Sequence, residues 1–307
     1  MHPFRFAVQQ ASAPTGEEWA ALARRAESLG YDLLVMPDHL GNQLSPFAAL
    51  AAAAAATTRL RISAFVFAND YRHPLMLARE AATLDVLSGG RFEMGMGAGW
   101  MTSDYRGLGM TYDLPPRRID RLEEAIPLVK RLLAGETVTH NGEHYQMERA
   151  SAGVPAVQRP RPPLAIGGGG PRMLKIAARE AEIVGLQPGF NARGWPLFGQ
   201  ATEKATAEKV AVIKEAAGDR FDQLELNLWI SLAGLAGSGN SMRGTAVAAT
   251  MGAATAVYGS PYVLYGTLGA LRNRLLRRRD QLGISYYTLP SRSMESMAPL
   301  VEALAGK

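Results

Sequence analysis

The sequence predicts an α/β fold, a (β/α)8 TIM barrel with an insertion segment and an irregular, mobile loop on its C-terminal face. Three observations lead there. Short apolar runs with strand character recur eight times, and helix-period segments separate them. Those runs are mainly apolar, as strands buried on both faces of a parallel sheet require. The length, 307 residues, suits one barrel of about 250 residues with added segments, although length alone also admits two domains. Eight repeats favour a closed barrel over an open, doubly wound sheet.

In order, residues 4–9 form a first strand, followed by a helix on which Trp19, Leu22, Ala23, Ala26 and Leu29 recur at helical spacing. The second strand, 33–36, ends at Pro37-Asp38-His39, and the alanine-rich stretch 45–57 is a strong helix former. A third strand, 60–67, leads to Pro74, which suits the first turn of a helix reaching about Leu87, where Ser88-Gly89-Gly90 ends it. The fourth strand, 91–96, runs into Gly97-Ala98-Gly99-Trp100; after a loop, Pro127 predicts a kink or a split in the helix of 117–133.

Residues 136–163 break the rhythm, with 138–145 reading as a hairpin about an Asn141-Gly142 turn. The alternation resumes with strand 164–166, helix 171–181, strand 182–186, helix 202–217, strand 224–232, helix 267–281 and strand 284–289. Residues 233–261, rich in Gly, Ser and Ala, read as the irregular loop, long enough to cover the barrel mouth. The whole, 1–307, is read as a single barrel domain.

Composition narrows the function. With 47% hydrophobic and 20% charged residues, disorder and collagen-like structure are excluded. The chain has no cysteine, which removes disulfides, Fe–S clusters, thiolate zinc and a cysteine nucleophile, and is compatible with the cytoplasm, the expected location. The opening residues show no leader-like apolar core and no run reaches about 18 apolar residues, so neither export nor a membrane partner is expected. A net charge of +5 favours acidic small molecules. The basic run Arg272, Arg274, Arg277, Arg278 and Arg279 has no interleaved aromatics and reads as a solvated helix face, so no nucleic-acid partner is expected.

In such a barrel the chemistry sits just past the C-terminal ends of the strands. There, Gly167-Gly168-Gly169-Gly170-Pro171-Arg172 offers bare backbone N–H groups at a helix start, suited to a phosphate. It is not a Walker A loop, and Gly95-Met96-Gly97-Ala98-Gly99 has neither the spacing nor the following helix of a dinucleotide fingerprint. Alternating glycines at a strand end instead permit close approach of a flat ligand.

Asp38 and His39 supply a carboxylate and an imidazole for acid–base work. His140 and His144 fall on the hairpin and so would not share a helical face as metal ligands, while His73 before Pro74 reads as structural. Trp100, Phe190, Trp195 and Trp229 are candidates to line a substrate pocket. Hydrolase chemistry finds no G-x-S-x-G elbow, and an aldolase or isomerase finds no strand-end lysine or paired carboxylates.

Pro37-Asp38-His39, the run Asn69 to Pro74, the stretch Ala82 to Trp100, the segment Arg159 to Gly170 and the closing Gly266-Thr267 with Leu282-Gly283-Ile284-Ser285-Tyr286-Tyr287 together resemble the bacterial luciferase-like flavin and deazaflavin oxidoreductases, in particular the branch that uses coenzyme F420. The resemblance implies a barrel that is frequently a homodimer, with the tricyclic ring at the C-terminal strand ends and a non-proline cis peptide at Phe65-Val66 backing it. It places Asp38 and Asn69 at the ring, Ala98 and Gly99 at the ribityl side, and Gly168, Gly169, Gly170 and Arg172 at the phosphate and acidic tail, with Asp38 or His39 managing a proton and Trp100 shaping the pocket. Sugar-phosphate-oxidising members carry an acid just after the fourth strand, where Trp100 stands here, so their substrate and acid–base pairing are not transferred. The implied activity is F420-dependent hydride transfer to or from a small organic substrate; FMN-dependent monooxygenation and a non-catalytic flavin or F420 carrier are the alternatives.

Overall fold

The computed structural model describes residues 1–189, 197–236 and 260–307. Its elements in order are β1 (Arg5–Gln9), α1 (Gly16–Ser28), β2 (Leu33–Met36), α2 (Pro46–Ala55), β3 (Arg61–Ala64), β4 (Phe67–Ala68), α3 (Pro74–Leu87), β5 (Phe92–Gly97), α4 (Thr102–Leu108) and α5 (Pro115–Leu133). Then follow β6 (Val138–Asn141), β7 (Gln146–Ala150), β8 (Leu164–Gly168), α6 (Pro171–Glu180), β9 (Ile183–Leu186), α7 (Glu203–Ala217), β10 (Glu225–Trp229), β11 (Leu232–Leu235), β12 (Val263–Gly266), α8 (Leu268–Leu282), β13 (Ile284–Pro290) and α9 (Met294–Leu304).

One sheet runs β3-β2-β1-β13-β10-β9-β8-β5-β4, and β3 also pairs with β5, so it closes on itself. Because β3 and β4 are one strand interrupted at Phe65-Val66, the closed sheet is the eight-strand parallel barrel of a (β/α)8 fold. Packing divides the described chain into two units, Met1–Gln10, Arg25–Leu33 and Gly168–Lys307 in the first, Ala11–Arg24 and Leu34–Gly167 in the second.

In the first unit, β1 pairs in parallel with β13, setting Phe6 opposite Tyr287 and Val8 opposite Leu289. Phe6 and Tyr287 stack with ring centroids 6.1 Å apart, and every residue from Ile284 to Leu289 is buried, which is why this strand reads as a continuous apolar run. In the second unit, β5 pairs with β3 on one side and β8 on the other. The helix α3 lays Leu77, Ala78, Ala81, Ala82 and Leu84 inward. Pro74 opens it, and His73 caps it by accepting the Leu75 N–H at 3.2 Å, the structural role expected of that histidine.

Several local expectations change. The strand of 60–67 is broken by the interruption at Phe65-Val66. The strand of 224–232 ends at Trp229, and Leu232–Leu235 instead pairs in parallel with Val263–Gly266, a strand too short to be read from its pattern. Pro127 does not divide α5: Leu122, Ala125, Ile126, Leu128 and Val129 are buried on both sides of it, and this packing holds one continuous helix despite the missing donor. The hairpin turn spans Gly142 to Tyr145, since Asn141 pairs with Gln146 and the Gly142 N–H reaches the Tyr145 carbonyl at 3.0 Å, so it is a four-residue loop. The helices α4 and α9 were not anticipated. The former is only seven residues long and stops at Gly109, whose φ of 68° suits glycine.

Candidate active site

The strand ends of the second unit gather most of the predicted residues. Asp38, just past β2, is buried with both oxygens engaged. Its Oδ2 accepts from the Ala68 N–H at 3.0 Å and from Arg72 Nη1 at 2.5 Å, while Oδ1 accepts from Arg72 Nη2 at 3.0 Å. The Arg72 guanidinium in turn lies 5.2 Å from the Phe47 ring centroid and 5.4 Å from that of Phe67, rings that stack 4.4 Å apart at 8°. A buried carboxylate needs such pairing. Asp38 therefore ties the end of β2 to the chain after β4, with both carboxylate oxygens occupied.

His39 Nδ1 lies 2.7 Å from Asp104 Oδ2. Asp104, itself buried, also accepts from the Tyr71 hydroxyl at 3.0 Å and the Leu40 N–H at 3.4 Å. Burial, followed by the neighbouring Asp104 carboxylate, pushes the Tyr71 hydroxyl well above its ordinary value, so it stays a donor. A carboxylate only accepts, so Nδ1 carries the hydrogen and Nε2 of the neutral ring carries the lone pair. The Trp100 ring meets His39 edge to face, centroids 5.6 Å apart at 89°. Asp104, on α4, thus sets a buried carboxylate beside His39. It was missed because α4 read as loop, and because contact between Asp104 and His39 joins positions 65 apart in the chain.

The Phe65-Val66 peptide is cis, as the resemblance implies. The Phe65 N–H donates to the Met36 carbonyl at 2.8 Å, and Val66 projects onto β5. A Cβ on Gly97 would come within 2.5 Å of Val66 Cγ2, and one on Gly95 would overlap the Ala64 carbonyl oxygen. The alternating glycines of β5 thus make room for the bulge of the preceding strand, where close approach of a flat ligand was expected from their spacing.

Asn69 is fully buried and its Nδ2 donates to the Tyr145 hydroxyl at 2.8 Å, but its Oδ1 has no hydrogen-bond partner among the described residues. Turning the amide over moves the deficit to the nitrogen without curing it. Tyr145 comes from the hairpin insertion, and burial pushes its hydroxyl up to about 12. Glu124 of α5 holds the hairpin, accepting from His140 Nε2 at 3.0 Å and from the His144 and Tyr145 N–H groups at 3.0 and 2.9 Å. His140 is thereby engaged, and among the described residues no three His, Cys, Asp or Glu side chains group as a metal site. Ala98 and Gly99 follow β5, half-buried, with the Tyr105 hydroxyl 3.4 Å from the Ala98 carbonyl.

The first unit holds the glycine loop. Side chains at Gly168 and Gly169 would come within 2.6 Å of Met173 Cβ and the Gln187 carbonyl oxygen, whereas Gly170 faces open space. Gly170 is the N-cap of α6 and contributes no side-chain hydrogen bond, Pro171 follows it, and Arg172 is exposed. The loop therefore keeps the shape of an anion-accepting helix start. Trp229 Nε1 donates to Gln9 Oε1. Phe190, Trp195 and residues 237–259 of the proposed covering loop lie outside the described residues. Among the described residues, no helix is long and apolar enough to cross a membrane.

Past the strand ends of the closed parallel barrel stand an imidazole–carboxylate pair, a cis-peptide bulge and an unmatched buried amide, and over nearly its whole length the chain matches the luciferase-like barrel family. The chain belongs to that family, described as luciferase-like monooxygenases, whose family model matches residues 1–303. It is 33% identical over 191 residues to the F420-dependent glucose-6-phosphate dehydrogenase of Microbacterium testaceum, covering 59% of this chain and 55% of that protein. To the protein of the same name from Nakamurella multipartita it is 30% identical over 237 residues, 73% of this chain and 66% of the relative. The matches thus span between about half and two thirds of those relatives' lengths. The coenzyme F420-dependent tetrahydromethanopterin reductase of Methanopyrus kandleri superposes with a TM-score of 0.76 over 98% of this chain and 99% of that one at 18% identity, a likeness of fold.

Proposed function

We propose that this chain is an F420-dependent oxidoreductase that moves a hydride between the deazaflavin ring and a small organic substrate. The observation that carries this reading is the buried, unmatched amide end of Asn69. Leaving such a group unpaired costs about 1–3 kcal/mol, and a ring edge presenting both donors and acceptors would satisfy it. The cofactor supplies the electrons. His39, oriented by Asp104, holds or takes the accompanying proton at Nε2; Trp100 walls the histidine; Asp38 and Arg72 keep the rim rigid; and the Gly168 to Gly170 loop with Arg172 receives phosphate and acidic tail. The relatives named for F420-dependent dehydrogenation support the choice of cofactor.

The family description favours a second reading, FMN-dependent monooxygenation. Titration of the purified protein with F420 and with FMN separates the two. F420 is expected to bind in the micromolar range and to weaken with added salt or on Arg172→Gln, because its tail is acidic, whereas tighter FMN binding with oxygen consumption would favour the monooxygenase. Failure of both to bind would overturn the redox reading. We also propose a homodimer; Met76, Val86 and Leu87 leave apolar surface exposed on α3, and light scattering reads the mass.

A further inference from the structure

The arginine run of α8 is not the evenly solvated face that its sequence suggests. A cleft of about 410 Å³ opens between α7 and α8, lined by Glu203, Lys204, Arg274, Arg277, Arg278 and Gln281 among others. Its one carboxylate is already committed: Glu203 Oε1 accepts from Arg278 Nε at 2.9 Å and from Nη2, while Arg278 Nη1 donates to the Pro261 carbonyl at 3.3 Å. The Arg278 side chain is 6% exposed, so this pair fixes the cleft floor. Lys204, Arg274 and Arg277 remain as surplus positive charge; Lys204 touches only Glu208, at 4.0 Å, and neither Arg274 nor Arg277 makes an ion pair with the described residues.

Two ordinary explanations fall short. A helix dipole favours cations only in its last turn, whereas Arg274 lies two turns before Leu282, where α8 ends. Solvation would spread like charges apart, yet 274, 277 and 278 stand at i, i+3 and i+4 on one face, where like charges repel. Burial, then the charge of Arg278, lowers the Arg274 guanidinium from its ordinary value; the Glu203 carboxylate opposes this and the charge of Arg277 adds to it. Cations crowded around a recess, Arg274 half-buried and Lys204 and Arg277 exposed at its rim, form a site that an anion would stabilise, and the volume is that of a small-molecule pocket.

We propose that the cleft between α7 and α8 is a second binding site, distinct from the glycine loop, that takes a small molecule with two or more negative charges carried on phosphate or carboxylate groups. It does not depend on the redox reading. The test is calorimetric titration of the purified protein with pyrophosphate and with citrate at constant ionic strength set by sodium chloride, with and without saturating FMN or F420. Saturable one-to-one binding that persists beside the cofactor is expected, stronger for pyrophosphate if the natural ligand is a phosphate and for citrate if it is a polycarboxylate. Arg274→Gln combined with Arg277→Gln should weaken it at least tenfold while the melting temperature without ligand stays level or rises. If that double variant fails to fold, Lys204→Gln on the opposite wall decides, with a weakening of at least threefold expected. Heats no larger than those of the chloride control, or affinity unchanged in the variants, would overturn the proposal.

Discussion

The pairing of His39 with Asp104 divides labour that the primary structure leaves undivided between two adjacent residues. Asp38 has its oxygens filled by Arg72 and the Ala68 N–H, while His39 is held through Nδ1 by Asp104, and the proposed function assigns the proton to its Nε2. Replacing His39 by Ala should lower kcat about 100-fold or more with little change in cofactor Kd. Asp104→Asn, which exchanges the acceptor for an amide, should lose at least about tenfold in kcat with cofactor binding intact. Asp38→Asn acts differently: it breaks a buried ion pair and should cost about 3 kcal/mol of stability, read as a lower urea midpoint. If Asp38→Asn instead spared stability and abolished turnover, the assignment of roles would be reversed. Which of the two residues is braced could not be read from Pro37-Asp38-His39, because the bracing partners, Arg72 and Asp104, arrive from other strand ends.

Among the elements, the interrupted third strand has the clearest sequence requirement. Val66 occupies the space above Gly97, so Gly97→Val would force two side chains into one volume and cost about 1–3 kcal/mol. A shifted denaturation midpoint with unchanged slope would report it. The ends of α3, at His73-Pro74 and Ser88-Gly89-Gly90, were legible because cap and turn chemistry is local. β11 and β12 were not, since each is four residues long and, among the described strands, pairs only with the other. The split allowed for at Pro127 does not occur, for a related reason: the packing that keeps α5 whole is tertiary, whereas the proline's cost is local.

For the whole molecule, the barrel and the order of its strands were readable from eight apolar repeats, because burial on both faces leaves its mark on every strand. Contacts between distant loops left no such mark. Global stability should also show one proton-linked feature. Burial pushes the Lys209 amine down to about 8, while its Nζ donates to the carbonyls of Gln187 and Gln200 at 2.7 and 3.2 Å. Between pH of about 8 and the unfolded value near 10.4, the unfolded chain binds a proton that the folded chain has released, so stability rises with pH. Below about pH 8 both states hold the proton and this contribution is flat. Tyr71 and Tyr105, pushed up mainly by burial, act in the opposite sense only above about pH 10. The urea midpoint should therefore climb from pH 7.5 to about 9.5 in the native chain and stay level in Lys209→Met. The hairpin from Val138 to Ala150 finally has a meaning beyond interrupting the alternation. Through Tyr145 it is the inserted segment, and not a barrel strand, that takes one end of the buried Asn69 amide. On the proposed function, a change in that appendage would retune molecular recognition while the barrel strands stayed untouched.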